Sequence, residues 1–310
     1  MMSRVRGAQL GAIAITAGAI AIAGCSSSSN NSASGKASSS PSASTSSGSS
    51  SGSTGASLTA AQAVKDAAQS AQKATSYAAD VTVKTSGTAS STISGTLKQQ
   101  TSPSPLAVAD FSSVTVQGQQ VQGGMQEIIN SDGVWLKLAQ LSKQVGKPWI
   151  KIPASDLSKV TGASFGQLLQ NGSNDPLVQT QMLSSSTNVK KVGTATINGV
   201  PTTEYTGTYP VSAGLAKLPA ASRSKIAAQL QQLGLTTEHF TVWLDDQQQV
   251  RKVVSSAKGT SESVASTIVV TSVNQPVTAT IPPASQVATV PASELGGSGS
   301  SGSGSGSTSS

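Results

Sequence analysis

The sequence predicts an α+β fold built on one antiparallel sheet of about eleven strands. Three observations predict it. Ser, Thr, Gly, Ala, Val and Gln dominate the 310 residues, while 11% are charged and 3% aromatic, a composition that suits twisted strands and polar turns. From residue 80 onward apolar residues recur with period two, in short segments parted by polar turns. Helical patterns gather before the first strand and in the middle of the chain instead of alternating with every strand, which argues against a doubly wound parallel sheet.

Residues 1–24 read as an export signal. Arg4 and Arg6 supply a charged start, and the apolar run over residues 8–23 is too short to remain as a membrane span. Small residues then lead to the only cysteine, in Ile22-Ala23-Gly24-Cys25. This pattern resembles the bacterial lipobox, in which the thiol receives a diacylglyceryl group and cleavage leaves Cys25 as the mature N-terminus. A buried structural role for Cys25 is the weaker reading, because Ser26-Ser27-Ser28-Ser29 offers no core to enter. The expected location is extracytoplasmic, on the cell membrane. With no second cysteine the exported domain has no internal disulfide and must fold on apolar burial alone.

Residues 25–57 are almost entirely Ser, Gly, Ala, Thr, Asn and Pro and cannot bury enough apolar surface to order themselves. They form a tether, a flexible coil spanning ~30 Å. Residues 291–310 repeat this chemistry as a Gly/Ser-rich tail. Between them, residues 58–290 form one domain.

That domain opens with a helix over residues 58–75, where Ala60, Val64, Ala68 and Ala71 repeat at helical spacing and Thr59 offers an N-cap. Strands follow at residues 80–85, 92–97, 107–116, 124–130, 134–138, 148–152, 188–197, 202–209, 238–244, 250–257 and 265–273. Short polar connections such as Ser131-Asp132-Gly133 and Asp245-Asp246-Gln247 imply antiparallel neighbours. Further helices are expected at residues 156–160, 175–183 and 222–233, the last ended by Gly234.

Period two sorts the side chains of these strands. Trp135 with Lys137, and Trp149 with Lys151, point to one side, whereas Val134, Leu136, Leu138, Ile150 and Ile152 point to the other. Near the end of the domain, His239, Thr241 and Trp243 share one face and Phe240, Val242 and Leu244 the opposite one. One sheet face is thus aliphatic and the other mixed, with tryptophans beside lysine stems.

Two strand pairs carry a resemblance. Residues 132–138 (DGVWLKL) and 146–152 (GKPWIKI), together with the stretches at 197–209 (INGVPTTEYTGTY) and 242–252 (VWLDDQQQVRK), are similar to the actinobacterial LppX/LprG-like lipoproteins, whose fold is LolA-like. The resemblance spans nearly all of the folded region. It implies that the sheet is strongly curved, a half-barrel with helices covering its concave face, and that an apolar cavity lies between them. It further implies an acyl-chain lipid or glycolipid ligand, no cofactor and no catalysis. On that basis Val81, Val83, Val134, Leu136, Leu138, Ile150, Ile152, Phe240, Val242 and Leu244 of the strands, with Ile226 and Leu230 of the last helix, are the expected cavity lining. The residues alone leave a filled core equally open; the small side chains of Ala60, Ala68 and Ala71 make a cavity easier, and the resemblance favours it.

Other chemistries fit poorly. Gly162-Ala163-Ser164-Phe165-Gly166 has the spacing of a nucleophile elbow, with Asp175 and His239 following in hydrolase order, but the segment before Ser164 reads as a helical turn where the elbow needs a buried strand. A metal site lacks ligands, since His239 is the only histidine and Asp245-Asp246 suits a hairpin turn. The formal charge is +7, and loss of Arg4 and Arg6 leaves 18 basic against 13 acidic residues. These are scattered singly apart from Lys190-Lys191 and Arg251-Lys252, with no basic stripe for nucleic acid, and they suit a solvated face near an anionic membrane. The expected protein is a monomeric, membrane-tethered binder or carrier of acyl-chain lipids. The alternative is a non-catalytic envelope sensor or interaction module with a filled core and a protein partner in the envelope.

Overall fold

The computed structural model of the chain describes residues 59–87, 90–156, 176–218 and 220–290. Its first element, α1 (Ala60–Gln72), lies inside the expected 58–75 and follows the expected cap, with the Thr59 hydroxyl accepting the Gln62 backbone N–H at 3.2 Å. Three long strands follow, β1 (Ser76–Gly87), β2 (Ser91–Gln100) and β3 (Leu106–Val116). After the two-residue β4 (Gln119–Gln120) come β5 (Met125–Asn130) and β6 (Gly133–Leu138), joined by a tight turn in which Asn130 Oδ1 accepts the Asp132 N–H. Helix α2 (Ala139–Val145) leads to β7 (Trp149–Pro153).

The second half holds α3 (Pro176–Leu183), β8 (Lys190–Ile197), β9 (Val200–Pro210), α4 (Val211–Leu215) and α5 (Ala220–Gln232). It continues with β10 (Thr237–Leu244), β11 (Val250–Lys258), β12 (Glu262–Val273) and β13 (Val287–Thr289). Gly234 ends α5 in the left-handed conformation at φ 66°, and the Leu235 N–H closes back on the Leu230 carbonyl at 3.0 Å. The expected helix at 156–160 lies, apart from Asp156, outside the described residues.

All thirteen strands join one open sheet in the order β13-β7-β6-β5-β3-β2-β1-β12-β11-β10-β9-β8, with β4 beside β3. The expectation of about eleven strands, all antiparallel, needs correction on both counts. The two extra strands, Gln119–Gln120 and Val287–Thr289, are too short to show a period of two. The last of them runs parallel to β7, pairing Val287 with Trp149 and Thr289 with Lys151. It gets there because residues 275–286 cross from the end of β12 as a strap. The Val277 N–H donates to Gln100 Oε1, Lys147 Nζ donates to the Ser285 carbonyl, and the Val290 N–H reaches the Lys151 carbonyl.

Helices α1, α3, α4 and α5 pack on one face of the sheet, the inner face. Ala63, Val64 and Ala67 of α1 and Met182 and Leu183 of α3 form one buried cluster with Tyr205, Tyr209, Phe240, Val242, Leu244, Val253 and Val270 of β9 to β12. Full burial of each such aliphatic side chain contributes about 1.5–3 kcal/mol. Gly207 is required there, because a Cβ on it would lie 2.8 Å from the ring of Phe240. Gly95 is required elsewhere: it sits at a β-bulge opposite β3, where a side chain would collide with the Asp110 carbonyl.

Candidate functional site

Strand register lays out the inner face in rows. One row runs Ala79, Leu97, Ala109, Glu127, Leu136 and Ile150 across β1, β2, β3, β5, β6 and β7. The next runs Tyr77, Gln99, Ala107, Ile129, Val134 and Ile152. A third, shorter row holds Phe111, Met125 and Leu138.

The residues expected to line a cavity fall into two groups. Phe240, Val242, Leu244 and Ile226 are buried in the cluster with α1 and α3, and Leu230 packs against it, so these five are core neighbours of helix side chains. Val81 and Val83 sit in a separate small cluster with Tyr77, Ala79 and Ile268. Val134, Leu136, Leu138, Ile150 and Ile152 lie together on β6 and β7, where Leu136 and Leu138 stay half-buried although they face the helix side. Ile129 beside Val134 and Leu97 beside Ala109 are half-buried too. The aliphatic face is therefore covered tightly over β9 to β12 and less completely over β2 to β6.

Two polar side chains interrupt this second region, and neither is among the residues expected to line a cavity. Gln99 is buried and accepts the Tyr77 hydroxyl at 3.1 Å. Glu127 is only 7% exposed, faces Ala109 on one side and Leu136 on the other, and makes no hydrogen bond or ion pair among the described residues. Burial pushes its carboxyl up to about 7. The sequence carries a signal for it in the alternation of Met125-Gln126-Glu127-Ile128-Ile129, which sets Glu127 on the side of Met125 and Ile129.

The outer face carries the tryptophans. Lys151 Nζ lies 4.7 Å from the Trp135 ring centroid, Lys252 Nζ 4.6 Å from Trp243, and Lys137 Nζ 5.8 Å from Trp149. Between the strap and this face is a cleft of about 380 Å³ whose lining includes Asp110, Gln126, Glu127, Trp149, Thr280 and Gln286. His239 is exposed on β10, as the alternation predicts. Among the described residues no three His, Cys, Asp or Glu side chains gather to hold a metal. Asp245 performs turn chemistry: Oδ1 accepts the Gln247 and Gln249 N–H groups, and Oδ2 pairs with Arg251 at 2.6 Å. Cys25, Ser164 and Asp175 lie outside the described residues.

No family model matches the chain. An uncharacterized 31.2 kDa protein of the rplA-rplJ intergenic region of Streptomyces griseus is 36% identical over 104 residues, which is 32% of this chain and 34% of that relative. The match thus spans about a third of the relative's length. Among solved structures, the lipoprotein LppX of Mycobacterium tuberculosis is 21% identical with a TM-score of 0.39, covering 71% of this chain and 97% of LppX. LprF of Mycobacterium bovis is 14% identical with a TM-score of 0.42, covering 71% and 94%. The chain is thus similar to these two mycobacterial proteins.

Proposed function

We propose that the chain is an envelope lipoprotein that holds acyl-chain lipids against the inner face of β2 to β7 and performs no catalysis. The observation that carries this reading is the half-burial of Leu97, Ile129, Leu136 and Leu138 on a face that elsewhere is closed by helices. Contiguous aliphatic side chains that face inward and stay half-buried suit a hydrocarbon tail, with a few polar groups to orient it. Residues 1–24 act as a signal peptide, and Cys25 carries the lipid anchor. Residues 25–57 form the tether, 58–290 the lipid-binding domain and 291–310 a Gly/Ser-rich tail. The protein works as a monomer on the outer side of the cell membrane. Two or more acyl chains on Cys25 suffice for stable attachment, at ~0.8 kcal/mol per buried methylene.

Native mass spectrometry of protein purified without harsh detergent tests the reading. A carrier retains lipid that organic extraction removes and takes up an acyl-chain probe once stripped. A second reading, a sensor or interaction module with a filled core, is favoured by the tight packing of Phe240, Val242 and Leu244 against α1 and α3. It predicts no retained lipid and no uptake.

A further inference from the structure

Glu127 is the one charged side chain in the inner-face rows of β1 to β7. Its neighbours across the sheet are Ala109 and Leu136, and along its own strand Met125 and Ile129 share its side. The acidic and basic groups of the adjoining segments, Asp110 on β3 and Lys137 on β6, belong to the opposite face, where Asp110 accepts from Gln126 and Lys137 stands over Trp149. A carboxyl buried without a partner costs several kcal/mol in general and is retained where something compensates it.

The geometry points to Glu127 as the polar anchor of the lipid site, accepting a hydrogen bond from a hydroxyl of an uncharged lipid headgroup. This rests on the lipid-binding reading above and adds to it a headgroup class. Hydroxyl is favoured over two alternatives by the surroundings. A phosphate or free carboxylate would place a second negative charge beside an ionised Glu127 with no described cation on that face to share it. An ammonium would have to be desolvated against a single carboxylate among aliphatic side chains, which costs more than desolvating a neutral hydroxyl. A hydroxyl needs one acceptor, and Glu127 supplies it. The hydroxyl can come from glycerol or from a sugar, and the two share this chemistry.

The test uses lipid-stripped full-length protein and probes of equal chain length at about pH 8: monolauroylglycerol, dodecyl glucoside, laurate and dodecylammonium, each below its micellar concentration. At least one of the two hydroxyl-bearing probes is expected to bind about tenfold or more tightly than laurate and dodecylammonium, and the better of the two identifies the source of the hydroxyl. Glu127→Leu is expected to abolish that preference while keeping laurate binding, and Glu127→Gln, which retains a hydrogen-bonding group of similar size, to restore most of it. Preference for dodecylammonium, or a preference for hydroxyl probes unchanged in Glu127→Leu, overturns the assignment while leaving an acyl-chain carrier standing. Stripped wild-type protein that takes up none of the four removes the carrier reading and the headgroup assignment with it.

Discussion

The ammonium of Lys151 sits 4.7 Å from the ring centroid of Trp135, its cross-strand partner on β6. Trp135 is buried on the outer face beside its other partner, Ile128, so the ring is held by packing and the lysine covers it. The two side chains are therefore expected to differ in worth. Trp135→Ala should cost about 3–5 kcal/mol and Lys151→Ala under about 1 kcal/mol. Urea unfolding of the two variants checks the order; equal losses would show that the cation, not the ring packing, holds this corner.

Glu127 makes stability depend on pH. Its carboxyl is pushed up from 4.5 to about 7 by burial, so the folded state holds a proton that the unfolded state releases. The stabilisation is complete below about 4.5, is lost as pH rises towards about 7, and levels off above. For lipid-free protein the loss is about 3 kcal/mol. Glu127→Gln should flatten this part of the profile. Parallel urea midpoints for wild type and variant at about pH 5 and pH 8 measure it, and identical slopes would exclude Glu127 as the source.

The two groups of inner-face residues should answer differently to added bulk. Val242 is 1% exposed and packed among helix side chains, so Val242→Trp overfills a closed core and should cost about 1–3 kcal/mol or more. Leu136 is half-buried, and Leu136→Trp should leave the midpoint closer to wild type while reducing retained lipid. Stripped protein must be used for the midpoints, since bound lipid itself raises apparent stability. If Leu136→Trp unfolds as readily as Val242→Trp and lipid retention is unchanged, that part of the face is filled core.

At the β10–β11 turn, Asp245 is buried and satisfies two backbone N–H groups as well as Arg251. Asp245→Ala should cost about 2–4 kcal/mol, because it orphans the turn donors and the guanidinium together. Arg251→Ala should cost less, since the backbone donors remain. Equal costs for the two variants would place the stabilisation in the ion pair alone.

Cys25→Ser should abolish acyl labelling and release any still-processed chain from the membrane. Retention of unacylated protein after a salt wash would point to a different attachment. Ser164→Ala should leave folding and lipid retention unchanged; covalent capture of Ser164 by a fluorophosphonate would instead revive a hydrolase.

Much of the fold is legible residue by residue. The eleven longer strands, the Thr59 cap, the stop at Gly234 and the turn role of Asp245 all follow from interactions within a few residues of one another, which period, capping and turn chemistry encode directly. The division of Trp135, Trp149 and Trp243 from the aliphatics follows the same way, because alternation is a property of a single strand. The order of the strands does not. That β1 lies between β2 and β12, and that the strap carries Val287–Thr289 to the far edge beside β7, depends on contacts between distant parts of the chain that no local pattern specifies. Depth of burial is likewise a tertiary property. Val242 and Leu136 look alike on alternating strands, yet α1 and α3 close over one while the other stays half-covered, and it is the tertiary packing around its own position in the same row as Leu136 that makes Glu127 a buried acid instead of a surface one.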